Sequence, residues 1–174
     1  TTMNIVDAPG KVNTGRPLKP FGIVVHHTAS NRNADPDNVI AMCVRGVNKV
    51  PGPLYNYIIK RDGTIVELTA ENVKANHAGR GLQSVLTRMQ KNLPATGDAK
   101  TAGKISANAR LIGVSLINDG LGEDVPVEQM DALVELCAFL CVTDLSFFRA
   151  ITRIELMYTQ HSINSFFFTR KKHK

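Results

Sequence analysis

This 174-residue chain has few cysteines, no long apolar run and no nucleotide-binding glycine motif. Its three cysteines, Cys43, Cys137 and Cys141, are too few for a disulfide framework. Cys137 and Cys141 stand four apart in "MDALVELCAFLC", on one helical face, and read as buried core thiols rather than metal ligands. No window reaches the ~20 apolar residues that a membrane-spanning helix needs. The opening "TTMNIVDAPG" lacks a basic region followed by an apolar stretch, so no signal peptide is visible. Neither a GxGxxG nor a Walker pattern occurs, which argues against a nucleotide-binding Rossmann or P-loop enzyme. Lys and Arg (21) outnumber Asp and Glu (15), and the net charge of +6 favours an anionic partner: nucleic acid, acidic lipid or cell-wall polymer. Single-stranded nucleic acid is disfavoured because no basic strand carries the interleaved aromatics that base stacking requires.

What is present reads as one domain of class α/β, long enough to bury a core unaided. Residues 1–20, rich in Pro, Gly and Lys, read as an N-terminal arm leading into a domain that spans 21–174. Ile23, Val24 and Val25 form a short β-branched run, the signature of a strand buried on both faces. In "NADPDNVIAMCVRGV", Asp35 is placed to cap a helix and Pro36 suits its first position. Asp37 complements the dipole, and Val39, Ile40, Cys43, Val44 and Val47 supply the apolar stripe. "PLYNYIIKRDGTIVEL" reads as a β-hairpin turning at Asp62-Gly63. Residues 79–110 read as a long basic loop and "RLIGVSLIND" as a strand. "VPVEQMDALVELCAFLC" reads as a helix whose inner face carries Met130, Leu133, Val134, Cys137, Leu140 and Cys141. The expected architecture is a central mixed sheet flanked by helices.

The five histidines are informative by position: His26, His27, His77, His161 and His173. His26 and His27 follow an apolar strand, and strand alternation sends the two to opposite faces. His77 lies among small residues in "ANHAGRG", where backbone can approach a partner closely. His161 ends an apolar-to-polar run, "ELMYTQHS". Histidines from distant strand ends can converge on one region of a sheet, and such a set suits zinc, which keeps an open position for water when catalytic.

In this order and spacing, "IVVHHTAS", "PLYNYIIKRDGTIVEL", "NHAGRG" and "LIGVSLIND" resemble the type-2 N-acetylmuramoyl-L-alanine amidases, the family of phage endolysins, bacterial wall amidases and animal peptidoglycan recognition proteins. The resemblance covers roughly residues 20–142 and implies a mixed sheet with a zinc-containing groove on one face. It further implies hydrolysis of the amide between the lactyl group of N-acetylmuramic acid and L-alanine, with bacterial peptidoglycan as the partner, a bacteriolytic role, and a monomer. By the same resemblance His26 is the first zinc ligand and His161 the second. Tyr55 lies beside the metal-bound water, His77 and His27 are the substrate-binding residues, and Lys171 (or Lys172) stabilises the oxyanion. Ser115 stands where some members carry a glutamate base, and is given no catalytic role.

The tail departs from the family pattern. Relatives supply a cysteine or aspartate as third ligand several residues after the second histidine, yet residues 162–174 contain no Asp, Glu or Cys. In "RKKHK" the corresponding position is His173, and three neutral imidazoles do form a working zinc set. Lys172 and Lys174 beside it oppose cation binding, which keeps open the alternative of a non-catalytic peptidoglycan-binding protein. The absence of a visible leader fits a phage-encoded protein acting at the bacterial wall, or a secreted one. Arg80, Arg88, Lys91, Lys100 and Lys104 give the 79–110 segment an attraction for anionic wall polymer. Lysis should therefore weaken as added salt shortens the screening length toward ~8 Å at physiological strength. Turbidity-clearing rates independent of salt over that range would remove this role.

Overall fold

The computed structural model describes residues 3–91, 104–143 and 166–168. In chain order these form β1 (Ile5–Val12), β2 (Gly22–His27), α1 (Pro36–Arg45), β3 (Gly46–Val47), β4 (Val50–Pro51), β5 (Tyr57–Ile59) and β6 (Ile65–Thr69). Then follow β7 (Arg80–Leu82), α2 (Gln83–Gln90), β8 (Lys104–Ser106), β9 (Leu111–Leu116), α3 (Val127–Thr143) and β10 (Phe166–Phe168). Six strands make a mixed sheet in the order β1-β6-β5-β9-β2-β10. Its centre is parallel, β5 with β9 and β9 with β2, while β5 with β6 and β2 with β10 run antiparallel. Two-residue β3 and β4 pair as a ribbon, and β7 pairs with β8.

The central strands carry apolar residues on both sides because both faces are covered. On one face Ile23, Val25, Ile59, Ile112 and Val114 pack against Leu133, Leu136 and Leu140 of α3. On the other, Ile58, Val66 and Leu68 meet Val39, Ile40 and Cys43 of α1, and Val24 and Leu111 meet Leu86 of α2. The helix α1 starts as the sequence implies: the Asp35 side chain accepts from the Asp37 N–H at 2.9 Å, with Pro36 in the first turn. Val47 lies beyond its end, in β3, because Gly46 at φ 99° terminates the helix. No helix among the described residues is long and apolar enough to cross a membrane.

Three expectations need correction. Residues 5–12, read as part of an arm, form the edge strand β1, parallel to β6 through Ile5–Ile65 and Val6–Val66. Pro9 and Gly10 disguised it: an edge strand tolerates proline, and a register irregularity between Asp7 and Val12 absorbs the Pro-Gly step. The 79–110 segment is not loop throughout, since β7, α2 and β8 lie within it. Finally, the inner face of α3 consists of Gln129, Ala132, Leu133, Leu136, Cys137 and Leu140. Met130 (42% exposed) and Val134 (49% exposed) face outward.

The α3 error has a physical cause. Apolar residues surround this helix, so periodicity alone does not select a face. A polar residue does. Gln129 is fully buried, and its Nε2 donates to the carbonyls of Ile59 and Ile117 at 2.8 and 3.2 Å, where β5 and β9 end. The Ile59 carbonyl also accepts from the Ile117 N–H at 3.0 Å, so the Gln129 amide adds a second donor there and supplies one to the Ile117 carbonyl, where an unmet buried acceptor would cost ~1–3 kcal/mol. Leu136→Ala should therefore cost roughly 2–5 kcal/mol in urea unfolding. Met130→Ala should stay within about 0.5 kcal/mol, as surface changes do. Equal losses would restore the outward stripe to the core.

Candidate active site

The β2 strand ends in His26 and His27, and its alternation separates them. His26 shares the α1/α2 face with Val24 and is 6% exposed. His27 turns to the opposite side, where its ring lies on Gly120. A Cβ on Gly120 would fall 2.1 Å from the His27 ring, so this turn, at φ 70°, requires glycine. The His27 Nδ1 accepts from the Ala29 N–H at 3.2 Å.

Around His26 gather side chains from three other segments. Its parallel partner in β9 is Ser115, which in turn pairs with Ile58 of β5. The Tyr55 ring, just before β5, lies with its centroid 5.5 Å from that of His26, tilted by 45°. His77 comes from the loop after β6, and its Nδ1 is 3.0 Å from His26 Nε2. The other nitrogen of His77 is 2.9 Å from the Leu111 carbonyl oxygen.

Backbone clamps hold these groups. Asn56 is buried and fully satisfied: its Nδ2 donates to Thr69 Oγ1 and the Val73 carbonyl, and its Oδ1 accepts from the Gly113 N–H. This fixes the residue next to Tyr55 onto β9. The Asn108 Oδ1 accepts from the N–H groups of Ala78 and Gly79 at 2.7 and 2.9 Å, pinning the turn that carries His77. Asn76 donates through its side chain to the Pro51 carbonyl and through its backbone N–H to that of Pro53. Gly113 completes the arrangement, because a Cβ there would lie 2.5 Å from His77 Cγ. A lone glycine inside a strand signals close approach by another group. The glycine inside "LIGVSL" is the sequence signal for this role of Gly113, whereas Asn56 and Asn108 carry none, since asparagine is common in turns.

The chemistry of the cluster follows from burial. Burial first, then the neighbouring His77 and His27, push His26 from 6.5 down to about 3. His77 falls to about 4, again by burial and then by Lys74, against the Leu111 hydrogen bond that raises it. Both rings are thus neutral at physiological pH, the state in which imidazole binds metals. Burial and then Cys43 raise the Tyr55 phenol, with Ser115 opposing, so Tyr55 keeps its proton and can donate. Ser115 is fully buried beside Tyr55, near enough to influence its ionisation, yet its Oγ makes no geometrically complete hydrogen bond among the described residues. An orphaned hydroxyl at the base of a neutral-histidine site is a place for an additional polar species.

The structure therefore brings His26, Tyr55 and His77 together and places His27 on the other side of β2. His161, Lys171 and His173 lie outside the described residues. Among the described residues no group of three His, Cys, Asp or Glu side chains is arranged to hold a metal ion. A neutral buried imidazole is a donor type that zinc accepts, and His26 is the described residue that could supply it.

Compared with known proteins, the chain matches the family described as N-acetylmuramoyl-L-alanine amidase over residues 16–171. It is similar to the N-acetylmuramoyl-L-alanine amidase LysC from Clostridium intestinale URNW, at 25% identity and a TM-score of 0.54, covering 82% of this chain and 78% of that one. The endolysine LysCS of the same organism gives 24% identity and a TM-score of 0.52, covering 81% and 75%. Bumblebee PGRP-SA shares the fold at 15% identity and a TM-score of 0.55, covering 83% and 78%. No curated protein matches the chain.

The two depressed histidines carry a pH signature. They remain neutral when folded but take up protons below 6.5 once unfolding exposes them. The unfolded state then binds more protons, so stability must fall as pH decreases from 6.5 toward 4. The melting temperature of the metal-free protein should drop between pH 6.5 and 4.5, before most carboxylates titrate. A flat profile there would mean that the rings are charged or exposed in the fold.

Proposed function

Starting from a chain that belongs to the N-acetylmuramoyl-L-alanine amidase family, we propose that it acts on the bacterial cell wall by zinc-dependent hydrolysis. The bond cleaved is the amide between the lactyl group of N-acetylmuramic acid and L-alanine in peptidoglycan. The observation that supports this reading best is the neutral His26 beside a protonated Tyr55 and the orphaned Ser115 hydroxyl on one face of the sheet. His26 is the proposed ligand from the described residues, with His161 and His173 completing the set. When bound, zinc supplies an acidified water and a Lewis acid for the amide carbonyl.

The chain's own residues do the rest. The Tyr55 hydroxyl, beside Ser115, orients the attacking water and donates to the oxyanion that develops on the carbonyl. Lys171 contributes a positive charge to the same oxygen. Water adds to the carbonyl carbon, the C–N bond breaks, and the departing nitrogen takes the proton that this water gives up. The products are a lactyl carboxylate and a free L-alanine amino terminus. The sheet and its two covered faces hold the groups rigid, so little reorganisation accompanies the reaction.

Digestion of purified wall should release L-alanine amino termini without new reducing sugars. New reducing ends instead would indicate a glycosidase and end the reading. Tyr55→Phe should keep its zinc and lose roughly 10²–10³-fold in kcat, as loss of an oxyanion donor does. His26→Ala should lose zinc and activity together, and His173→Ala equally so if it is the third ligand. The absence of Asp, Glu and Cys from residues 162–174 favours a second reading, a wall-binding protein without hydrolysis. It would be identified by fragment binding with no product even after zinc supplementation.

A further inference from the structure

We propose that His77 is a positioning residue for His26: it locks His26 into the tautomer that carries its proton on Nε2, so that Nδ1 is the nitrogen offered to the metal. The inference rests on the zinc reading above and assigns His77 a role other than substrate contact.

The direction of the relay follows from its far end. The Leu111 carbonyl can only accept, so at 2.9 Å the His77 Nε2 must carry a proton and donate it. In a neutral imidazole the other nitrogen then bears a lone pair, so His77 Nδ1 is an acceptor. His26 Nε2, 3.0 Å from it, must therefore be the donor. Neutral His26 with its proton on Nε2 has its lone pair on Nδ1. One main-chain carbonyl thus sets the tautomer of two rings in series. A metal-binding histidine ordinarily has its second nitrogen held by a hydrogen bond, which orients the ring and raises its basicity. Here the holder is another imidazole, anchored to the backbone.

The structure is built around this contact. Gly113 leaves the space in which the His77 ring lies against β9, and a Cβ there would be 2.5 Å from His77 Cγ. Asn108 clamps both N–H groups after His77, and Asn76 ties down the residue before it. The rings of His26 and His77 meet edge to face, with centroids 5.2 Å apart and planes at 69°.

The test is nitrogen NMR on histidine-labelled protein, first metal-free and then with zinc. The expected spectrum shows His26 protonated at Nε2 and bare of a proton at Nδ1, coupled through the hydrogen bond to His77 Nδ1. Zinc should then shift His26 Nδ1 and leave the Nε2 proton in place. A proton on His26 Nδ1 would overturn the proposal. So would loss of the Nε2 proton on zinc addition with both rings shifting, which would make His77 a ligand. As a second measurement, His77→Phe retains a ring against Gly113 but no acceptor. It should weaken zinc binding by about 10–100-fold, the usual effect of losing such a partner, with KM for soluble wall fragments unchanged. Unaltered zinc affinity with a raised KM would return His77 to substrate contact and overturn the relay. Failure of the unmodified protein to bind zinc would overturn the metal reading itself, an outcome distinct from a wrong tautomer in a protein that does bind it.

Discussion

The parallel pairing of β2 with β9 is the constraint from which the site follows. It aligns Gly22 with Leu111 and runs in register to His27 opposite Leu116. Because side chains alternate along both strands, this single register assigns Val24, His26, Leu111, Gly113 and Ser115 to one face, and Ile23, Val25, Ile112 and Val114 to the other. A slip by one residue would send His26 into the α3 core and bring His27 beside Tyr55. The apolar residues on both faces resist such a slip, since each face has its own helices to satisfy. Site geometry and core packing are thus specified by one set of hydrogen bonds.

Buried amides carry the loops to this pair. Asn56, Asn108 and Gln129 each satisfy backbone groups that strand ends and turns would leave without partners. Each ties a different segment to the sheet: Asn56 the approach to β5, Asn108 the His77 turn, and Gln129 the first turn of α3. Satisfied polar contacts of this kind rigidify, whereas a half-satisfied one would cost more than an apolar substitute. Among the described residues three buried polar atoms lack a hydrogen-bond partner, Ser84 Oγ, Gln129 Oε1 and Ser115 Oγ, and the last lies beside Tyr55.

Burial also determines what the histidines can be. Buried in the fold, His26 and His77 lose the solvation that stabilises an imidazolium, and the result is a pair of neutral rings. Neutrality gives a hydrogen-bonded pair of rings a definite direction. It also leaves a lone pair for a cation, at the expense of acid stability. The net positive charge of the whole chain points the other way, toward anionic polymer. These two features act over different distances: the net charge sets a long-range field, and burial sets the local state of the two rings.

The sequence by itself determined the layers and the faces near the site. β-branched runs marked β2 and β9, Asp35-Pro36 marked the start of α1, and Asp62-Gly63 marked the hairpin, because each of these signals is local. Alternation alone separated His26 from His27. Motif order also carried the family. What local signals could not decide was left to tertiary contacts. The edge strand β1 was hidden by Pro9-Gly10 until β6 provided a partner. The buried side of α3 depended on two distant carbonyls that select Gln129 over Met130. The placement of His77 against His26 needed a missing Cβ on Gly113 and a carbonyl at Leu111, far along the chain. Periodicity reports how a segment faces its own axis; which groups lie on the other side of that face is a property of the folded chain, because only folding brings distant donors, acceptors and gaps into register.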